Sequence, residues 1–116
     1  MFAQRHTIAV ETDGAGAATA YSPNVTGRIH SVTYTKDDFT DGVDFTITLE
    51  RTAQSIWTDT NINASETVYP VAAANLGTGA ASTLSEAPIV AANDRVKIVI
   101  AAGGATKGGT FEVVVT

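Results

Sequence analysis

The chain has 116 residues, the usual size of one folded domain, so we expect a single domain over residues 1–116. Charged residues make up only 16% of it, the net charge is −5, and cysteine is absent. These totals exclude a disulfide framework, a thiolate metal site and a thiol nucleophile. The scarcity of Lys and Arg predicts that neither a nucleic acid nor an anionic membrane surface is the partner.

The N-terminus carries no recognisable targeting signal. Residues 1–6 lead into no long apolar run, so we expect no secretory signal and synthesis in a cytoplasm. No stretch approaches the ~20 apolar residues of a membrane span.

Alternation of apolar and polar residues predicts strands through the first half of the chain. In order, it predicts a strand at 2–10, a glycine-rich Asx turn at 12–16, an extended piece at 17–22, a strand at 27–36, an acidic turn at 37–42 and a strand at 41–50. The last strand is the clearest, because Val43, Phe45, Ile47 and Leu49 share one side of it. Neither face of residues 27–36 is wholly apolar, so we expect its second face to meet a loop or a neighbouring subunit.

The second half is less regular. It predicts a short or bulged strand at 54–58, a polar loop at 59–65, an extended segment at 66–71 with Pro70 at an edge or strand end, a turn at 91–94, a strand at 95–101, a hairpin tip at 102–109 and a last strand at 110–116. Residues 72–86 begin with alanines but contain Gly77 and Gly79, which predicts a long surface loop with at most one helical turn. A loop of that length usually binds something or lies on a partner.

About eight short strands separated by turn signals, without helical crossovers, predict an all-β fold. The architecture is a single antiparallel β-sandwich or β-barrel with one long loop at 72–86.

Catalytic chemistry finds little support. The two histidines, His6 and His30, are accompanied by no Gly-x-Ser-x-Gly elbow, so a surface or interface role is favoured over catalysis. The glycines at 103–104 and 108–109 flank Lys107 but link two strands, whereas a phosphate-binding loop would lead into a helix. We predict no enzyme activity, no catalytic residues and no cofactor.

Two groups of residues leave a binding role open. The carboxylates of Asp37, Asp38, Asp41 and Asp44 could converge on Ca²⁺, but their spacing matches no EF-hand loop and turn chemistry explains them, so we predict no metal site. Trp57 and Tyr69 could stack on a sugar, anchor an interface or fill the core.

Five segments together, residues 31–34, 37–48, 68–70, 94–100 and 103–111, resemble small structural proteins of tailed bacteriophages. The most specific parts are residues 38–45, Asp-Phe-Thr-Asp-Gly-Val-Asp-Phe, and residues 103–107, Gly-Gly-Ala-Thr-Lys. After Pro70 this chain has an Ala/Asn/Gly stretch, where the family pattern has an aromatic or basic residue.

The resemblance implies a virion structural protein, foremost a capsid decoration or cement protein. Such a protein would be made in the host cytoplasm, sit on the capsid exterior, bridge neighbouring major capsid subunits and form a homo-oligomer, with a trimer suited to a threefold site. The alternatives are a tail or head–tail component of the virion and a carbohydrate-binding module that uses Trp57, Tyr69 and a cation at the acidic turn.

Overall fold

The structure is a computed structural model that describes residues 3–116, and these residues form eleven β-strands and no helix. The strands are β1 (Gln4–Glu11), β2 (Ala18–Tyr21), β3 (Val25–Lys36), β4 (Val43–Leu49), β5 (Ser55–Ile62), β6 (Glu66–Val68), β7 (Val71–Asn75), β8 (Ala81–Pro88), β9 (Val90–Asp94), β10 (Val96–Ala101) and β11 (Gly108–Val115). The all-β prediction is confirmed. The first predicted strand began at Phe2, which lies outside the described residues. No helix long and apolar enough to cross a membrane occurs in the described part of the chain.

The strands form two antiparallel sheets and a separate two-stranded ribbon. In the first sheet β1, β11 and β3 are neighbours in that order, and β6 and β9 both pair with β3. The second sheet has the order β2-β10-β4-β5. Within residues 3–116, β7 and β8 pair only with each other.

The core lies between the two sheets. The inward-facing residues of β4 are the four that the alternation predicted, Val43, Phe45, Ile47 and Leu49, and all are buried. Phe45 contacts the first sheet directly, with its ring centroid 4.6 Å from that of Tyr34 and 5.0 Å from that of Phe111. Edge-to-face aromatic pairs of this kind add about 0.5–1.5 kcal/mol beyond simple burial. The two sheets are therefore locked together by aromatic rings at their centre.

Along β3 the buried side chains change face at His30. The pairing between β3 and β11 shifts between Ile29 and Ser31, so His30 is an extra residue in a β-bulge. Before the bulge Ile29 is buried, and after it Val32 and Tyr34 are buried. One extra residue moves the alternation by one position, which explains why neither face of the predicted strand was wholly apolar.

Within residues 3–116 six connections cross from one sheet to the other, and three of them are residues 12–17, 37–42 and 102–107. The hairpin predicted at 102–109 is therefore wrong, because β10 pairs with β2 and β4 whereas β11 pairs with β1 and β3. A short glycine-rich link suits a hairpin and a sheet-to-sheet crossover equally well. The choice depends on which strand edges are free, and a local pattern does not contain that information.

Two segments predicted as loop or turn are strands. β5 continues to Ile62, and Asn61 at φ 56° forms a bulge in its pairing with β4. Residues 91–94, predicted as a turn, belong to β9. There the buried Asp94 carboxylate accepts hydrogen bonds from the amides of Arg51 (3.0 Å) and Arg95 (2.8 Å). Asn and Asp are typical turn residues, so the sequence predicted a turn where Asp94 serves as a buried hydrogen-bond acceptor.

The long loop predicted at 72–86 is also wrong. β7 and β8 pair as an antiparallel hairpin whose turn includes a hydrogen bond from the Leu76 amide to the Ala80 carbonyl at 2.8 Å. Alanine and glycine are weak strand formers, and here cross-strand pairing overrides their preference. We call residues 71–88 the ribbon. None of its residues is buried, and the radius of gyration is 14.6 Å. A compact domain of this length would have about 13 Å, so the molecule is elongated.

Candidate functional site

The residues considered for catalysis do not come together. His6 lies on β1 opposite Val113, whereas His30 lies in the β3 bulge, where its ring meets that of Tyr69 at 5.7 Å. Across residues 3–116, neither histidine forms an ion pair with a carboxylate. The arrangement offers no nucleophile held against a base, which acyl-transfer chemistry would need.

Three of the four aspartates considered for Ca²⁺ have separate structural partners. Asp38 accepts a hydrogen bond from the amide of Gly108, Asp41 forms an ion pair with Lys36, and Asp44 accepts from the amide of Asn61. No group of three or more His, Cys, Asp or Glu side chains that could hold a metal occurs in the described residues. These three side chains thus bond residues 37–44 to neighbouring segments of the fold.

Three of the crossover connections, residues 12–17, 37–42 and 102–107, meet at what we call the crossover end. The Thr12 hydroxyl donates to the Gly104 carbonyl (2.5 Å) and accepts from the Lys107 amide (2.8 Å). The Gly103 amide donates to the Gly16 carbonyl at 3.0 Å, and its own carbonyl accepts from the Thr40 amide at 3.1 Å. Each connection is therefore bonded to another one, which closes this end.

The predicted Asx turn is present in the first of these connections. The Asp13 carboxylate accepts hydrogen bonds from the amides of Ala17 and Ala15, and these bonds lower the pKa of Asp13. Gly16 has the positive φ of 81° that the turn requires.

The two aromatic residues considered for sugar binding are separated. Trp57 is 8% exposed and packs edge-on against Phe45 in the core, with ring centroids 5.4 Å apart. Tyr69 is 68% exposed and stands at the base of the ribbon beside His30. The two rings do not form one platform, so the site predicted from Trp57 and Tyr69 together is not assembled.

The two sheets together are called the body. A cleft of about 400 Å³ opens where the ribbon joins it. Its lining residues are Arg28, Ile29, His30, Tyr69, Pro70, Val71, Glu86, Ala87 and Pro88. Two prolines and two aromatic rings make most of the wall apolar, and Arg28 and Glu86 add one charge of each sign. Its volume lies near the low end for ligand pockets, roughly 300–1,000 Å³, so it suits a single side chain or a small ligand.

The ribbon and its base carry most of the large hydrophobic side chains that are exposed in the described residues. Six large hydrophobic side chains are exposed among residues 3–116, and five of them lie between residues 69 and 90. These five are Tyr69, Val71, Leu76, Leu84 and Val90. Between residues 71 and 88 the single charged residue is Glu86. Exposed apolar side chains concentrated in one region mark interaction surfaces, and the sequence signal for this one was the long run without charge.

Leu84 stands out from the ribbon because of a bulge in β8. Ala73 pairs with Glu86 and Asn75 with Ala81, so four residues of β8 loop out opposite one residue of β7. The Ser82 hydroxyl accepts hydrogen bonds from the amides of Leu84 (3.1 Å) and Ser85 (3.2 Å), which stabilise the bulge. Leu84 is 93% exposed as a result.

The base of the ribbon is anchored to the body. Ile89, directly after β8, is buried, and its carbonyl accepts a hydrogen bond from the Ile29 amide at 2.8 Å. Ala72 packs against the core. The ribbon is thus fixed at its root and exposed along its length.

Comparison with known proteins adds little to this picture. No protein-family model and no curated protein matches the chain. A solved structure titled "Crystal Structure of FLHE" is similar, with 14% sequence identity and a TM-score of 0.44, over 97% of this chain and 95% of that one. A likeness at this level carries no argument about function.

Proposed function

We propose that this chain is a structural protein of a bacteriophage virion, a capsid decoration protein that clamps neighbouring major capsid subunits through its ribbon. The observation that supports a binding role is the concentration of five of the six exposed large hydrophobic side chains between residues 69 and 90. The virion setting rests on the resemblance of residues 31–111 to phage structural proteins.

The ribbon has the composition of a surface that another protein covers. Burying a fully exposed leucine side chain contributes about 1.5–3 kcal/mol. Leu84 offers nearly all of this gain, and the half-exposed Leu76 offers part of it. Because Glu86 is the single charge of the ribbon, a partner would desolvate little charge on contact. Weak contacts of this size become strong when many copies bind one lattice.

The body suits a clamp because its two sheets are tightly packed, whereas the ribbon is exposed. Its two sheets are joined by the ring cluster of Phe45, Tyr34 and Phe111, and three connections are bonded to each other at the crossover end. Force applied at the ribbon would therefore pass into a stiff domain. In this proposal the role of the protein is mechanical. Each bound copy adds interface free energy that helps the shell to resist internal pressure.

The proposal is tested on particles of a phage that encodes this chain, with gold-labelled antibody and electron microscopy. We expect label over the whole head surface. Label confined to the tail would replace the decoration role by a tail or head–tail role, and absence from particles would refute a virion function.

The contribution of the ribbon is tested with Leu84→Asp, mixed with particles that lack the protein. We expect binding to fall by about tenfold or more, because an apolar contact is lost and a charge is buried. Thr46→Asp adds the same charge on the exposed face of β4 and should leave binding unchanged. Equal loss in both variants would show that net charge, and not the ribbon, governs binding.

A further inference from the structure

We infer that the cleft at the root of the ribbon binds a neutral saccharide, which stacks on Tyr69 and forms hydrogen bonds with Arg28 and Glu86. The cleft of about 400 Å³ has the size for a mono- or disaccharide. Unlike the sugar site considered in the sequence, this one does not use Trp57, which packs in the core. Binding of a saccharide here depends neither on the virion setting nor on which protein contacts the ribbon.

Tyr69 provides the apolar surface on which a sugar ring can stack. It lines the cleft and is 68% exposed. The His30 ring meets it at a centroid distance of 5.7 Å with the ring planes at 65°, so no parallel stack covers Tyr69. The face of an aromatic ring carries partial negative charge, and it attracts the C–H bonds that line one side of a sugar ring. Tyr69 therefore suits a ligand with such a C–H face.

Two opposite charges stand on the walls of the cleft. Arg28 comes from β3 in the body and Glu86 from β8 in the ribbon, and both side chains are exposed. Neither of them forms an ion pair in the described part of the chain. A guanidinium has five N–H donors and a carboxylate about four acceptor sites. The cleft thus offers a ligand both donors and acceptors.

The combination of these groups selects the class of ligand. The charges of Arg28 and Glu86 cancel, so a ligand with a net charge would be attracted by one of them and repelled by the other. A purely apolar ligand or side chain would take both charges out of water without replacing their hydrogen bonds. A saccharide avoids both costs, because each hydroxyl donates and accepts hydrogen bonds while the C–H face is apolar.

The backbone around the cleft holds its shape before a ligand binds. Pro70 and Pro88 stand at the two ends of the ribbon, and the ring of proline restricts φ at both places. Next to Pro88, the carbonyl of Ile89 accepts a hydrogen bond from the Ile29 amide at 2.8 Å. Binding therefore requires little ordering of the chain, which favours affinity.

Nuclear magnetic resonance of isotope-labelled protein tests the inference. The probes are glucose, galactose, mannose, N-acetylglucosamine, lactose and maltose, added separately. We expect at least one of them to give saturable shifts of amide signals confined to the residues that line the cleft. Because the cleft is open to solvent and contacts a ligand on one side, the dissociation constant should be about 1–10 mM.

Variants of the lining residues separate the two kinds of contact. Tyr69→Ala should weaken binding at least about fivefold through loss of the stack, and Tyr69→Phe should weaken it less because the ring remains. Glu86→Ala should also weaken binding, whereas Glu86→Gln keeps a hydrogen-bond acceptor and should retain most of it. Tyr21→Ala is the matched control, since it removes another exposed tyrosine, on β2, and should leave binding unchanged. Thermal unfolding of each variant should match that of the unaltered protein.

Several outcomes overturn the inference. The first is the absence of saturable shifts with every sugar, and the second is saturable shifts that lie away from the cleft. Equal weakening by Tyr69→Ala and Tyr21→Ala would also refute it. Titration with free alanine and proline supplies the last outcome, because saturation of the cleft by these zwitterions but by none of the sugars would assign it to a different class of ligand.

Discussion

The crossover end and the ribbon contain segments of nearly the same composition with opposite fates. Residues 102–109 consist of Gly, Ala, Thr and one Lys, and residues 72–80 consist of Gly, Ala, Thr, one Asn and one Leu. The first segment is tied to two other loops by hydrogen bonds, and the second belongs to a ribbon without a buried residue. Composition alone therefore does not determine whether such a segment is structural or is available for contact.

The glycines show the physical difference most directly. A Cβ added at Gly109 would lie 2.5 Å from Cε2 of Phe39, and one at Gly103 would lie 2.9 Å from Cγ2 of Thr12. At Gly77 and Gly79 nothing lies within 4 Å of the added atom. Glycine at the crossover end leaves room for neighbouring side chains, whereas glycine in the ribbon serves only the turn. Close packing constrains the first region, and its absence leaves the second exposed to solvent.

The largest expected effect is at Phe39, which is buried where the three connections meet. Phe39→Ala should lower the free energy of unfolding by about 3–5 kcal/mol, because a large cavity replaces the ring. Leu84→Ala, in the ribbon, should change it by less than about 0.5 kcal/mol. Urea unfolding followed by circular dichroism measures both. Similar losses in the two variants would contradict the contrast between the regions.

Alkaline pH should destabilise the body through Tyr34. Burial, followed by the charges of Asp37 and Asp41, raises the pKa of Tyr34 to about 12. In the unfolded chain the phenol ionises near pH 10, so the stability is intact below pH 10 and falls as the pH rises from 10 through 12. The loss from this one group is about 2–3 kcal/mol, since each pKa unit is worth about 1.4 kcal/mol.

Tyr34→Phe isolates that contribution. Its hydroxyl has no hydrogen-bond partner within the described residues, so at pH 7 the change should alter stability by no more than about 1 kcal/mol. Between pH 10 and pH 12 the variant should lose less stability than the unaltered protein. Parallel curves for the two proteins over that range would assign the alkaline loss to other groups.

A smaller effect compares the glycines of the two regions. Gly109→Ala should cost about 1–3 kcal/mol, because the methyl group overlaps the buried rings of Phe39 and Tyr34. Gly77→Ala should be neutral or stabilise the protein by up to about 1 kcal/mol, since it meets open space and restricts the unfolded chain. Midpoints of thermal unfolding rank the two variants, and a reversed order would mean that the crossover end yields more easily than its packing indicates.

Much of the sheet structure was predictable because it depends on local alternation. The buried faces of β4 and β10 and the core side of β11 follow from a two-residue period, which needs no knowledge of the rest of the chain. The Asx turn at Asp13 follows from residue chemistry in the same way. Of the candidate site, the sequence singled out Tyr69 and residues 72–86, and contact of that segment with a partner stays a prediction.

What the sequence determined by itself is therefore the class of fold and the inward faces of β4, β10 and β11. Tertiary structure alone decided which strands are neighbours, and with that the crossover at 102–107, the bulge at His30 and the exposure of Leu84. The physical reason is the distance along the chain over which each interaction acts. Side-chain alternation is set by adjacent residues, whereas strand pairing is set by which edges remain free after distant segments have met.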